Sequence, residues 1–195
     1  NVKDGKVEGS EIAVYYAEGD IVQDPKAATM FGNNNYIASR KVCKDLEDLM
    51  NDDDVKAVVV RINSGGGDAY ASEQMWHQMS ELRKVKPVVV SMGDYAASGA
   101  YYMSAPASWI VAQPNTLTGS IGIFAVIPDF SGLVTTKLGV RFDEVKTNRN
   151  STFGNLMARP FNAEEKAMLQ ASVNRGYSLF RQRVAEGRRL PVESV

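Results

Sequence analysis

One cysteine, one histidine, almost no net charge and no long apolar run mark this chain of 195 residues. Each scarcity removes a class of function. The lone Cys43 excludes an internal disulfide and a multi-thiolate metal site. With Val42 and Leu46 beside it on a helical pattern, it reads as a buried, inert thiol. The 22 basic and 23 acidic residues leave a formal charge of −1, which gives no electrostatic footing for nucleic acid or an anionic membrane surface. No run approaches the roughly 18 apolar residues that span a bilayer, and the opening Asn1-Val2-Lys3-Asp4-Gly5 is no signal peptide. A start without Met reads as an excised fragment of a longer parent.

The single His77 restricts any serine chemistry. On a helix predicted over Ala69–Val85 it lies about 160° from the Met75/Met79 stripe, at 100° per residue, and points away from the core. A Ser-His-Asp triad needs its imidazole within reach of the hydroxyl. A serine nucleophile here must use another base, and lysine is the usual substitute. Asn51-Asp52-Asp53-Asp54 lacks the alternating ligands, central Gly and closing Glu of a calcium loop, and reads as a solvated helix stop. Neither a metal nor a cofactor is expected.

What is present is an α/β pattern. Ser10–Val22 begins with Ile12, Val14 and Tyr16 alternating with smaller residues, a strand signature. Gly32-Asn33-Asn34-Asn35 is a polar loop, and Tyr36–Met50 carries Val42, Leu46, Leu49 and Met50 at helical spacing. Two β-branched runs, Val55–Ile62 and Pro87–Ser91, are too short for helices and read as strands buried on both faces. Between them Ala71, Met75, Met79 and Leu82 form one helical stripe. Strand, helix and strand in succession imply a right-handed crossover and a parallel sheet. Further on, the pattern predicts a helix from Ala97 or Ser98, strands at Trp109–Ala112, Ser120–Val126 and Val140–Val145, and a short helix around Ser131–Leu138. A long closing helix starts at an Asn162 cap with Glu165 three residues on. Its stripe is Leu169, Val173, Tyr177, Phe180 and Val184, and Gly187 is its stop. No repeat divides the chain, and 1–195 reads as one domain.

Two glycine-rich turns carry the candidate chemistry. The first is Arg61-Ile62-Asn63-Ser64-Gly65-Gly66-Gly67-Asp68. As a dinucleotide fingerprint it would need Gly at Tyr70, and as a phosphate loop it lacks Gly-Lys-Ser/Thr. Two readings stand: an ordinary strand-to-helix turn, or a turn whose bare N–H groups meet an oxyanion or a peptide. The second is Ser91-Met92-Gly93-Asp94-Tyr95-Ala96-Ala97-Ser98-Gly99-Ala100-Tyr101-Tyr102. Small residues around Ser98 leave room for a substrate carbonyl, and a helix starting there offers N–H groups to a developing oxyanion. The alternative is that Ser98 merely caps the helix. Both turns lie beyond the carboxyl ends of parallel strands, where ligands bind in such sheets, so together they favour an acyl-transfer site.

These two segments, with Thr118-Gly119-Ser120-Ile121-Gly122, resemble in order and spacing the signal peptide peptidase A family (protease IV type). The resemblance runs from about Glu11 to Val195. It implies a crotonase-like (Clp-protease-like) fold and a serine peptidase of the Ser–Lys dyad type that cuts membrane-derived signal peptides. By that likeness Ser98 is the nucleophile and Gly66 and Gly99 donate to the oxyanion. Gly65, Gly67, Thr118, Gly119 and Ser120 line a groove, the stretch Thr118–Gly122 taking an extended peptide by strand pairing.

Two departures stand out. Gly65 occupies a place where the family usually has Pro, and the general-base Lys of short family members is expected near Ser151. Lys146 is the nearest candidate. A free lysine must drop about 3 pKa units, roughly 4 kcal/mol, to act as a base, and a solvated Lys146 lacks the surroundings for it. The pattern therefore resembles the C-terminal half of the long tandem form, whose N-terminal half contributes the Lys, and the fragment alone is expected to be inactive. The likeness also implies hydrophobic signal-peptide substrates and a homo-oligomer. It places the catalytic domain on the extracytoplasmic (periplasmic) side of a bacterial inner membrane, anchored outside this chain. Two other classes compete: a crotonase-type acyl-CoA enzyme, for which no basic cluster awaits nucleotide phosphates, and a non-catalytic oligomerisation domain using Tyr101, Tyr102 and Phe153.

Overall fold

The structure, a computed structural model, describes residues 10–24 and 35–195. Of the expected polar loop at 32–35, only Asn35 falls among the described residues. Contacts divide the chain into two units: residues up to Gly122 together with Leu179–Val195, and Ile123–Ser178.

In chain order the first unit runs β1 (Glu11–Glu18), β2 (Asp20–Val22), β3 (Tyr36–Ala38), α1 (Ser39–Asn51), β4 (Val55–Ser64), α2 (Ala69–Val85), β5 (Val88–Ala97), α3 (Gly99–Ser104), β6 (Trp109–Val111) and β7 (Leu117–Gly119). Among the described residues β1, β4, β5 and β6 pair in that order, all parallel, and β7 lies parallel to the far end of β5. This is the α/β, parallel-sheet architecture expected. The core forms where Val58, Val60 and Ile62 of β4 and Val88, Val90 and Met92 of β5 meet the α1 pair Val42 and Leu46 and the α2 stripe Ala71, Met75, Met79 and Leu82. Burying each large side chain contributes roughly 1.5–3 kcal/mol.

Several expectations need correction. The central strands are buried on one face only: β4 alternates buried and partly exposed residues along most of its length. On the opposite face Ile12, Tyr16 and Trp109 are well exposed, because the helices cover a single side. The strand expected over Ser10–Val22 breaks at Gly19, whose φ of +107° suits glycine; a β-carbon there would lie 2.1 Å from the Asn35 carbonyl oxygen. The helix expected from Tyr36 begins at Ser39, since Tyr36–Ala38 pair with β2. β5 continues well past Ser91 to Ala97, so most of the second "turn" is strand.

Lys86 is buried at the helix–strand junction. Its ammonium donates to the carbonyl oxygens of Leu49 (2.6 Å) and Asp52 (2.5 Å) at the end of α1, where a helix leaves carbonyls unpaired.

In the second unit Gly132–Lys137 form a six-residue π-helix, close to the short helix expected. The segments 120–126 and 140–145 are not strands. Phe124, Val126 and Val145 are exposed, and an alternating apolar pattern makes no strand without a neighbour to take its N–H and C=O groups. The long helix α4 (Ala163–Arg188) starts on the reciprocal cap expected: Asn162 N–H donates to Glu165 Oε2, and Glu165 N–H to Asn162 Oδ1, both at 2.8 Å. Glu165 is fully buried and takes two bonds from Arg159, at 2.8 and 2.7 Å.

The last part of α4 belongs to the first unit, where Phe180 and Val184 are buried with Tyr102 and Ala105. Of the remaining expected stripe, Leu169 and Val173 are half-buried and Tyr177 is exposed. Gly187 is not the stop. It lies inside α4, where a β-carbon would fall 2.2 Å from the Ala105 carbonyl oxygen. The chain turns instead at Arg189, with φ +56°, and Leu190 N–H returns to Ala185 O at 2.9 Å, a terminal 6→1 bond. Among the described residues no helix is long and apolar enough to cross a membrane.

Candidate active site

The site is built where β4 and β5 end. Ile62 pairs with Met92 and Ser64 with Ala96, so β4 advances two residues while β5 advances four. The surplus on β5, around Gly93–Tyr95, is a bulge. Asn63 fills it, its Oδ1 accepting the Tyr95 N–H at 3.1 Å. β7 also pairs with this end of β5, with Leu117 beside Tyr95, Thr118 beside Ala96 and Gly119 beside Ala97. The Thr118 hydroxyl donates to Ala96 O at 2.8 Å.

Ser98 follows, with φ 52° and ψ −121°. L-residues avoid that region at a cost of order 1–3 kcal/mol. The conformation is held from both sides: Ser98 N–H donates to Gly119 O and Tyr102 N–H to Ser98 O, each at 2.9 Å. Ser98 thus occupies the capping position of α3, yet its side chain makes no capping bond. That excludes the reading of Ser98 as a helix cap and leaves a partly exposed serine at a strained corner.

The first turn is fixed from three directions. Ile21 N–H donates to Gly66 O (3.0 Å), Asp68 N–H to Ile21 O (2.9 Å), and Gly66 N–H to the Ser64 hydroxyl (3.0 Å). Gly66 (φ +99°) presses on the serine corner: a β-carbon there would lie 2.7 Å from Gly99 N, 2.8 Å from Ser98 Cβ and 2.9 Å from Ala97 O. One on Gly99 would lie 2.4 Å from Ser72 Oγ and 3.4 Å from Gly67 N. Only bare glycines let these backbones approach so closely.

Of the expected site residues, then, Ser98, Gly66, Gly67 and Gly99 are brought together, and Thr118 and Gly119 brace the end of β5 that leads into Ser98. Gly65 stands exposed at the lip of the turn, with nothing within 4 Å of its open side. Ser120 (φ +49°) carries the chain away from β7. The Gly66 N–H, expected to face an oxyanion, is engaged by Ser64. The sequence reading missed Ile21, Asn63 and Ser72 as parts of the site; only Asn63 carried a signal, as the residue opening the first glycine run.

The candidate bases lie as follows. His77 is exposed on α2. Among the described residues of the first unit, five lysines each have another partner: Lys41 with Asp45, Lys44 with Asp48, Lys84 with Glu81, Lys56 with Asp53 O, and Lys86 at the end of α1. In the second unit Lys146 is exposed and paired with Glu144 at 2.9 Å, and the Ser151 hydroxyl donates to Asn148 O at 3.1 Å. Cys43 is half-buried, and burial pushes its thiol up from the ordinary value, away from nucleophilic use. Among the described residues no cluster of three His, Cys, Asp or Glu side chains is placed to hold a metal.

The model of peptidase family S49 matches residues 80–195. The chain is 37% identical over 184 residues to Protease 4 of Haemophilus influenzae and 38% over 188 residues to Protease 4 of Salmonella typhi. It is 33% identical over 187 residues to the chloroplastic serine protease SPPA of Arabidopsis thaliana. These alignments cover 93%, 96% and 95% of the chain but only 28%, 29% and 27% of the relatives. Among solved structures, a ClpP1 mutant from Listeria monocytogenes superposes with a TM-score of 0.52 at 13% identity, covering 93% of this chain and 75% of that one. At that identity the likeness establishes the fold, Clp-protease-like.

Proposed function

The chain belongs to peptidase family S49, and on that premise we propose that it is the serine-bearing part of a Ser–Lys peptidase with Ser98 as nucleophile. The observation that carries this reading is Ser98: its side chain makes no capping bond, its backbone is a strained corner, and its Cβ lies against the bare backbone of Gly66. In the proposed reaction Ser98 Oγ attacks the scissile carbonyl and passes its proton to a neutral lysine. The carbonyl oxygen becomes an oxyanion beside Gly99 N–H, in the first turn of α3, where amides have no helical acceptor. Gly66 N–H supplies the second donor by leaving Ser64 Oγ, since a charged oxygen is the stronger acceptor. Each such donor is worth roughly 3 kcal/mol in the transition state. The lysine then returns its proton to the leaving amine, and water cleaves the acyl-serine by the same route.

An extended substrate would add along β7, with Thr118, Gly119 and Ser120 on one side and Gly65 and Gly67 on the other. The lysine would come from an N-terminal half of a longer tandem protein, in which this chain is one crotonase-like domain. Two observations support that source: the five described lysines of the first unit have other partners, and Lys146 is a solvated, carboxylate-paired ammonium. The proposal extends to hydrophobic signal peptides as substrates, to a homo-oligomer, and to the outer face of a bacterial inner membrane.

The test is turnover of a Leu-rich peptide by this chain alone and by the full-length protein. Hydrolysis by the full-length protein, lost in Ser98→Ala, with negligible hydrolysis by the chain alone, is the expected result. Robust activity of the chain alone that Lys146→Ala abolishes overturns the two-half arrangement.

A further inference from the structure

We infer that Asn63 is the positioning residue that sets where Ser98 stands, an inference that rests on Ser98 being the nucleophile. Asn63 sits where three segments of the first unit meet. Its carbonyl oxygen accepts Gly19 N–H at 3.1 Å, at the corner between β1 and β2. Its side-chain Oδ1 accepts Tyr95 N–H at 3.1 Å, inside the β5 bulge. The next residue, Ser64, holds the Gly66 amide. One residue therefore touches the strand leading to the first turn and the bulge leading to the serine.

The bulge decides the position of Ser98 by simple length. A strand rises about 3.3 Å per residue, so two surplus residues left in extended form would carry Ser98 roughly 6–7 Å past Gly66. Folding them into a bulge brings Ser98 back against the first turn. An even surplus also leaves the facing of β5 unchanged, and Met92 and Ala96 are both buried. Tyr95 pairs with Leu117 of β7 on one edge but has no partner in the β4 register, and on that side the Asn63 amide oxygen accepts its N–H. Gly93 completes the fit: a β-carbon there would lie 3.0 Å from Asn63 Oδ1 and 3.1 Å from its Cβ and Cγ. The side chain and the bulge are thus shaped to one another, with little room for either to change alone.

The experiment uses Asn63→Ala, Asn63→Asp and Gly93→Ala. Amide ¹⁵N–¹H spectra of this chain report position without requiring activity, and kcat and KM of the full-length protein report function. In Asn63→Ala the resonances of Ser98 and Gly99 should move along with that of Tyr95. At a melting temperature close to wild type, kcat should fall about 10- to 100-fold with KM little changed. Asn63→Asp keeps the acceptor oxygen and should restore both the spectrum and most of kcat. Gly93→Ala should shift the same resonances in the wild-type background and less when Asn63 is Ala, because two of the three crowded atoms, Oδ1 and Cγ, are then gone and only Cβ remains. If Asn63→Ala fails to fold, the Gly93→Ala spectrum alone decides. Changes confined to Tyr95 and its neighbours, with Ser98 and Gly99 unmoved, overturn the inference. Undiminished hydrolysis by Ser98→Ala instead defeats Ser98 as the nucleophile, while the spectra still judge the role of Asn63.

Discussion

Gly66→Ala is the substitution whose cost follows most fully from the geometry. The residue has φ +99°, and an L-residue held in a left-handed conformation costs about 1–2 kcal/mol. Its new methyl would meet Gly99 N at 2.7 Å and Ala97 O at 2.9 Å. These are backbone atoms that cannot rotate aside, so the two turns must separate. Overpacking of that kind costs about 1–3 kcal/mol. The sum, about 2–5 kcal/mol, is a large part of the 5–15 kcal/mol that holds a typical domain. At about 2–4 °C per kcal/mol for a chain of this size, melting should fall by about 4–20 °C. Gly65→Ala is the matched control, since a β-carbon there has nothing within 4 Å and should cost less than about 0.5 kcal/mol. Thermal unfolding followed by circular dichroism reads both. A Gly66→Ala protein melting within about 1 °C of wild type, or a Gly65→Ala protein equally damaged, would refute the close approach of the two turns.

Two further outcomes are expected. Hydrogen bonds from Arg159 and then from the Asn162 amide hold the Glu165 carboxyl at about 2, below its usual 4.5. Its stabilising effect is therefore complete above about pH 4.5 and disappears as pH falls toward 2; Glu165→Gln should flatten stability over that window, and parallel wild-type and variant profiles between pH 6 and 2 would contradict the pairing. Ser98→Gly should raise the melting temperature by a few degrees, since glycine accepts φ 52° without the strain of order 1–3 kcal/mol, while abolishing hydrolysis by the full-length protein. A fall in melting temperature would show that the serine corner is not strained.

Much of the fold was legible because its signals are local. The α2 stripe, the Asn162–Glu165 cap and the valine-rich centres of β4 and β5 each rest on periodicity or a short motif. What the sequence left hidden depends on distant partners. The break at Gly19 is explained only by the Asn35 carbonyl packed against it, and the helical Gly187 only by the Ala105 carbonyl. The alternating residues of 120–126 and 140–145 suggested strands, but pattern alone cannot supply a neighbouring edge. At the site, Ser98 and the glycines stood out as residues. The positive φ of Ser98 and the bulge filled by Asn63 depend on register, which a linear string does not display; the bond from Gly66 N–H to Ser64 is local, but the glycine run gives no sign of which amides stay free. Ile21 and Ser72 had no local mark at all, being an apolar strand residue and a small helical one that the fold delivers to the glycine turns.

The most direct measurement is intact-mass and peptide-level analysis of the full-length protein after treatment with a fluorophosphonate, alongside peptide hydrolysis by the Ser98→Ala variant. A single adduct on the peptide carrying Ser98, absent from the variant and accompanied by complete loss of hydrolysis, is the expected result. An adduct on a different serine, or hydrolysis that survives the substitution, would contradict the role given to that hydroxyl.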